Sequence, residues 1–169
     1  MITKVDRKYL EINSPEEINS SESKINCKVE IKNPPDFQLN KFFYKQIGKS
    51  YRWIDRLAWD DFKWMNYTNN SNLETYILRE NDDLVGFFEL LYNPELEETE
   101  ISYFGLLEEY IGKGIGGYAL SVAITKSFEK NIKRVWLHTC TLDHPNALKN
   151  YKARGMTVFR KENINILDN

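Results

Sequence analysis

Apolar positions recur along the chain with two periods, and the switches between them mark out the elements. Ile25, Cys27, Val29 and Ile31 alternate with polar neighbours, the period of a half-buried strand. Asn33-Pro34-Pro35-Asp36 breaks that run and opens a helix with the apolar stripe Leu39, Phe42, Phe43 and Ile47, closed by Gly48. Asp60 reads as the N-cap of a short helix carrying Phe62, Trp64 and Met65. Leu73–Arg79 and Leu84–Tyr92, joined at Asn81-Asp82-Asp83, make an antiparallel hairpin, and Thr99–Leu107 follows the turn at Asn93-Pro94. Ile115, Tyr118, Ala119, Val122, Ala123 and Lys126 share one side of a long helix. Arg134–Leu142 is a buried strand, Asn146–Arg154 a helix stopped by Gly155, and Met156–Arg160 the last clear strand. At the N-terminus Lys8–Ile12 could form a short strand, and Ser14-Pro15-Glu16-Glu17 is a capping box that starts a helical turn.

Composition narrows the class without naming an activity. A length of 169 residues suits one domain, 1–169, with residues 1–23 as an N-terminal extension open to adding a strand. Apolar content of 41% fits a soluble globular chain, and the Lys and Arg residues are dispersed, with a formal net charge of -2. That argues against a nucleic-acid partner. The N-terminal MITKVDRKYLEINSPEE has no apolar targeting core, and no stretch reaches membrane-spanning length, so no membrane partner is expected. Cys27 and Cys140 stand far apart without metal-ligand spacing, which points to a reducing cytoplasm and no metal. The expected state is a monomer or homodimer.

The stretch that carries chemistry is Gly112-Lys113-Gly114-Ile115-Gly116-Gly117, between the strand ending at Leu107 and the long helix. A strand that turns through glycines into a helix N-terminus aims several free backbone N–H groups at one spot, and the helix dipole adds positive charge there. Such a place suits a phosphate or pyrophosphate. A Walker loop needs Gly-Lys-Ser/Thr, but Gly114 follows Lys113. A dinucleotide fingerprint needs G-x-G-x-x-G within a first βαβ unit, and this run is G-x-G-x-G-G late in the chain. A glycine-rich tight turn with no ligand is the remaining alternative.

This stretch resembles motif A of the GNAT superfamily of acyl-CoA-dependent N-acetyltransferases, Arg/Gln-x-x-Gly-x-Gly/Ala, with Ile111 standing where Arg or Gln is usual and Gly114 and Gly116 matching. The element order β, α, α, β, β, β, α, β, α, β is close to that family's, and the resemblance covers about Lys24 to Arg160. It implies an α/β (α+β) domain, a mixed, mostly antiparallel central sheet flanked by helices, with strands Thr99–Leu107 and Arg134–Leu142 splayed apart. The family's final strand is missing, and either Lys8–Ile12 or Ile164–Leu167 could fill its place.

The resemblance also assigns roles. Gly112, Lys113, Gly114, Ile115, Gly116 and Gly117 would hold the pyrophosphate of acetyl-CoA, and Leu106 and Leu107 would offer backbone groups to its pantetheine arm. Asn146–Gly155 resembles motif B, in which Asn146 would help hold the arm and Tyr151 would serve the leaving thiolate. Aminolysis needs a base, and Glu100, at the start of the strand leading into the glycine loop, is the expected one, with Glu89 as substitute. A solvated glutamate at a strand edge is the competing reading of Glu100.

Tyr51–Tyr67 holds three of the four tryptophans, Trp53, Trp59 and Trp64, among acidic and basic residues. Trp64 and Phe62 read as core, whereas Trp53, Asp55, Arg56 and Trp59 are candidate substrate contacts. A Trp-x-Asp-Arg-Leu-x-Trp run occurs in some members of the family, and Asp55, Asp60 and Asp61 hint at a cationic acceptor. His138 and Cys140 read as strand residues without a catalytic partner. The expectation is therefore an N-acetyltransferase moving acetyl from acetyl-CoA to a small-molecule or protein amine. The alternatives are a non-catalytic acyl-CoA-binding module of the same fold and transfer of a larger acyl group.

Overall fold

The computed structural model describes residues 1–167; residues 168–169 of the expected single domain lie outside the described residues. Seven strands form one sheet: β1 (Ile2–Ile12), β2 (Cys27–Ile31), β3 (Leu73–Glu80), β4 (Asp83–Asn93), β5 (Glu98–Leu106), β6 (Arg134–Cys140) and β7 (Thr157–Leu167). Their order is β2-β3-β4-β5-β6-β1-β7, and every pairing is antiparallel except β5 with β6. Four α-helices complete the fold: α1 (Phe37–Gly48), α2 (Asp61–Thr68), α3 (Gly116–Phe128) and α4 (Ala147–Ala153). Among the described residues no helix is long and apolar enough to cross a membrane.

Both candidates for the missing strand are used. β1 is eleven residues long, not the five expected, and it lies inside the sheet between β6 and β7. β7 likewise runs past Arg160 to Leu167, because its outer half pairs with Ile2–Arg7. The N-terminal segment is thus an integral strand.

Helix starts follow their caps. Asp36 Oδ1 accepts the Gln38 N–H at 3.0 Å, and Asp60 Oδ1 accepts that of Lys63 at 2.8 Å, closing orphan donors of α1 and α2. The buried faces differ from the expected stripes. On α1, Asn40 and Tyr44 are buried beside Phe43 and Ile47, while Phe42 is exposed, because a polar network under α1 claims the first two. On α3 the buried face carries Leu120, Ile124 and Ser127 with Ala119 and Ala123; Tyr118, Val122 and Lys126 flank it. On α2, Trp64 is fully buried as expected, but Phe62 is 66% exposed.

Two features of the sheet create an opening. β5 and β6 pair only at Glu98–Arg134, Thr99–Val135 and Glu100–Trp136, then separate, so the expected splay begins at Glu100. A bulge also lies in β5, where Glu89 faces Tyr103 and Leu90 faces Ile101, leaving Ser102 without an opposite residue. A one-residue slip sends later side chains to the other face. Glu100, opposite Leu91, therefore shares a face with Tyr103 and Glu89, which an unbulged strand would not allow.

Candidate active site

A cavity of about 1180 Å³ fills the splay. Its walls come from β5 (Glu100 to Leu106), the loop after α1 (Tyr51 to Arg56), the glycine loop, β6 and α4, with Arg7 of β1 and Ile164 to Leu167 of β7 on the far side of β6 from β5.

Past the C-terminal end of β5 the chain runs through Gly112 and Gly114, at φ 82° and 76°, in the left-handed region that favours glycine. A Cβ on Gly112 would meet nothing within 4 Å, so the loop's lack of side chains leaves open space. α3 follows without a side-chain cap, and its first N–H groups face the cavity end lined by Gly114, Ile115, Gly116 and Gly117. Gly116 is tied to α4, since Asn150 Nδ2 donates to its carbonyl at 3.1 Å. Gly117 has a packing reason to be glycine: a Cβ there would lie 2.1 Å from the Arg154 guanidinium. Lys113 does not line the cavity; it is exposed, with Nζ 5.4 Å from the Tyr110 ring centroid.

Leu106 and Leu107 divide. The Leu107 N–H donates to Val85 O at 2.8 Å and its side chain joins the core, so Leu107 is turned away from the cavity. Alternation along the strand then turns the backbone groups of Leu106 and Phe104 to the side from which β6 has parted. The Ser102 hydroxyl, at the bulge, is buried and has no partner among the described residues.

Glu100 lines the cavity where the splay begins. Burial raises its carboxyl pKa above the ordinary value; Arg56 pulls it down, and Glu89 and Glu98 push it further up. Glu89 cannot substitute for it. Its fully buried carboxylate takes the Arg56 guanidinium at 3.1 Å, the Tyr67 hydroxyl at 2.7 Å and the Asn40 amide at 2.8 Å, leaving it no path to a substrate.

Arg56, expected at the substrate, is the centre of that network. Besides Glu89 it donates to Tyr67 at 2.8 Å, and the rings of Tyr67, Tyr103 and Trp59 lie within 5 Å of its Cζ. Burial would lower its pKa, but Glu89, then Tyr67 and Tyr103, raise it, so it remains a fixed cation. Trp59 packs on Trp64 and Tyr67 and does not line the cavity. Trp53 does line it, with its ring against Tyr103 at 4.7 Å between centroids. Asp55 lines it too, but accepts the Tyr103 hydroxyl at 2.7 Å and that of Tyr44 at 2.9 Å. Asp60 is a helix cap, and Asp61 pairs with Lys41 at 2.9 Å. Each aspartate that hinted at a cationic acceptor thus has a partner in the fold.

Asn146 and Tyr151 both line the cavity from the α4 region. Burial, then Asp143, raises the Tyr151 pKa, so the phenol stays protonated and can donate. Asp143 itself is held by the Thr139 hydroxyl and the Cys140 N–H. Among the described residues no group of three or more His, Cys, Asp or Glu is placed to hold a metal ion. Arg7, Ser102, Tyr103 and Asn150 were missed from sequence; the alternation Val5, Arg7, Tyr9, Glu11 was the one available signal, for Arg7.

Residues 37–156 match the acetyltransferase (GNAT) family. No curated protein matches the sequence. Solved structures share the fold at low identity. A GCN5-related N-acetyltransferase from Kribbella flavida has a TM-score of 0.69 at 15% identity, over 97% of this chain and 58% of its own. One from Sphaerobacter thermophilus has a TM-score of 0.70 at 15% identity, over 93% and 49%. An aminoglycoside acetyltransferase from an uncultured soil metagenomic sample, in complex with trehalose, has 0.62 at 16% identity, over 76% and 86%. The chain spans about half to three fifths of the length of the first two.

Proposed function

Because the chain belongs to the acetyltransferase (GNAT) family, we propose that it transfers acetyl from acetyl-CoA to a primary amine by direct attack. The observation that carries this reading is the cavity between the splayed β5 and β6, with a glycine-built helix N-terminus at one end and Glu100 at the other. Six residues separate Leu106 from Glu100, about 20 Å of extended strand, a length that a stretched pantetheine arm can follow.

The residues fit the cosubstrate. The N–H groups of Ile115, Gly116 and Gly117 meet the pyrophosphate, and the free backbone edge at Phe104 and Leu106 meets the amides of the arm, with Asn146 facing them from α4. The bound thioester supplies an activated acetyl group. Everything else falls to the chain. An ammonium of ordinary pKa costs about 4.6 kcal/mol to deprotonate at pH 7. Glu100 takes that proton, directly or through water, and its raised pKa makes it the better base near neutrality. Tyr151, kept protonated by burial, donates a hydrogen bond to the departing thiolate.

Calorimetric titration with acetyl-CoA, desulfo-CoA and ATP tests the reading, followed by thiol release with amines added. Gly116→Val is the sharper variant of the glycine loop. Its Cβ would have only ordinary contact, 3.6 Å from Asn150 Nδ2, whereas Gly114 has positive φ and Lys24 at 2.7 Å. Gly116→Val is expected to fold and to lose acetyl-CoA binding by closing the anion site; wild-type affinity in that variant would remove the loop from cosubstrate binding.

A further inference from the structure

On the part of the cavity wall that β1 supplies stands a cation that the proposed transfer does not use. Arg7 lies on β1 opposite Cys140 of β6, and Glu100 lies opposite Trp136 of the same strand. Residues 136, 138 and 140 share a sheet face, so Arg7, His138 and Glu100 all look toward the loop after α1. Four residues of β6 separate the positions of Arg7 and Glu100, roughly 13 Å of strand.

Arg7 is under-partnered. Its Nε is buried with no hydrogen-bond partner among the described residues. Its nearest carboxylate is Glu162, at 3.8 Å, beyond hydrogen-bond length. Glu162 already accepts the Tyr9 hydroxyl at 2.5 Å and the Arg160 guanidinium at 3.0 Å, so it is shared by two cations. Among the described residues the other carboxylates lining the cavity, Asp55, Asp143 and Glu100, form no ion pair with Arg7. Asp55 is held by two tyrosine hydroxyls, Asp143 by Thr139 and the Cys140 N–H, and Glu100 is the base. His138 adds no negative charge; desolvation in the cleft, then Arg7, lowers its pKa, so it stands as a neutral imidazole between the two ends. A partly buried guanidinium on a cleft wall, with its facing carboxylate beyond hydrogen-bond length, suits a carboxylate ligand.

We infer that the acceptor amine also carries a carboxylate, and that Arg7 binds it, so that Arg7 sets acceptor specificity while Glu100 faces the amine. This rests on the amine transfer proposed above and names the class of its acceptor: amino acids and ω-amino acids, in preference to polyamines.

The test is kinetic, with acetyl-CoA and matched acceptors: glycine, β-alanine, 4-aminobutyrate, 6-aminohexanoate and lysine, each against its carboxamide, with spermidine alongside. Expected is a KM for at least one acid on the order of tenfold below that of its amide, and a ratio near one in Arg7→Gln at little cost in kcat, with Arg7→Lys between. Acids no better than amides or spermidine in the wild type overturn it. So does an Arg7→Gln that depresses acids and amides alike with a lowered melting transition. Glutarate, which has no amine, supplies the readout independent of activity, titrated calorimetrically in the presence of coenzyme A. Glutarate bound by the wild type and not by Arg7→Gln, with no thiol released by any amine, leaves the carboxylate site standing and ends the amine transfer. Thiol release indifferent to the carboxylate does the reverse. Glutarate unbound, or bound equally by both proteins, overturns the site.

Discussion

Two glutamates one strand apart face the same side of the sheet, and their surroundings have little else in common. Around Glu89, donors saturate the carboxylate: Arg56, Tyr67 and Asn40, the last also reaching Thr75 at 2.9 Å. These groups come from α1, the loop after it, α2, β3 and β4, so the knot fastens the α1–α2 layer to the sheet. Around Glu100 the sheet opens, its neighbours on the free side recede into a cavity, and burial leaves its proton affinity raised. A polar group with every bond made holds a fold together, and one with bonds left to make is available to a substrate. The bulge at Ser102 brings Glu100 to that open side.

The largest effect should come from breaking the saturated side. Glu89→Ala leaves the Arg56 charge buried without its counter-ion, and a loss of about 3–5 kcal/mol is expected in denaturant unfolding. A change under ~1 kcal/mol would mean that the knot does not tie the layers. Next is the open side. Glu100→Gln should lower kcat about 10²-fold at neutral pH and leave acetyl-CoA affinity nearly intact. In the wild type, kcat should rise with pH through the raised pKa of Glu100, and Glu100→Gln should lose that limb. Equal activity at every pH would return Glu100 to the scaffold. Smaller again is Tyr151→Phe, which removes one hydrogen bond to the leaving group, about tenfold in kcat at ~1.4 kcal/mol; a donor through the backbone instead would leave the rate unchanged.

The open side was far more legible in the sequence than the saturated one. Glycines at a strand-to-helix junction are a local signal, because the backbone geometry they serve is written within six residues, 112–117. Glu100 was singled out by its place relative to that junction in the family resemblance, and most of the elements by period. The knot has no such signature. Asn40, Arg56, Tyr67, Thr75 and Glu89 span fifty residues, and each looks locally like an ordinary helix, loop or strand position. Trp59 was accordingly expected at the substrate, when it packs on Trp64 and Tyr67 away from the cavity, and Arg56, which does line the cavity, is also the centre of the knot. Arg7 was hidden for a related reason: β1 pairs from Ile2 to Glu11 with a C-terminal strand whose own length was underestimated. Pairings between chain ends leave no periodic trace beyond their alternation.

The smallest effect is the one that most directly contrasts the two carboxylates, since it concerns stability at the position of the proposed base. A carboxyl whose folded-state pKa is raised binds protons in the native state that it has released in the unfolded state. Unfolding then releases protons in the window between the unfolded value and the raised one, and stability falls as pH rises through it. Above that window Glu100 is a standing cost, a buried charge kept for its basicity. Glu100→Gln removes the charge, so at pH 7 the variant should melt at or slightly above the wild type, and the gain should vanish below pH 4, where both side chains are neutral. Paired melting curves at the two pH values measure it. A variant less stable at pH 7 than at pH 4, relative to wild type, would mean that the Glu100 carboxylate is held by the fold after all, and the contrast with Glu89 would collapse.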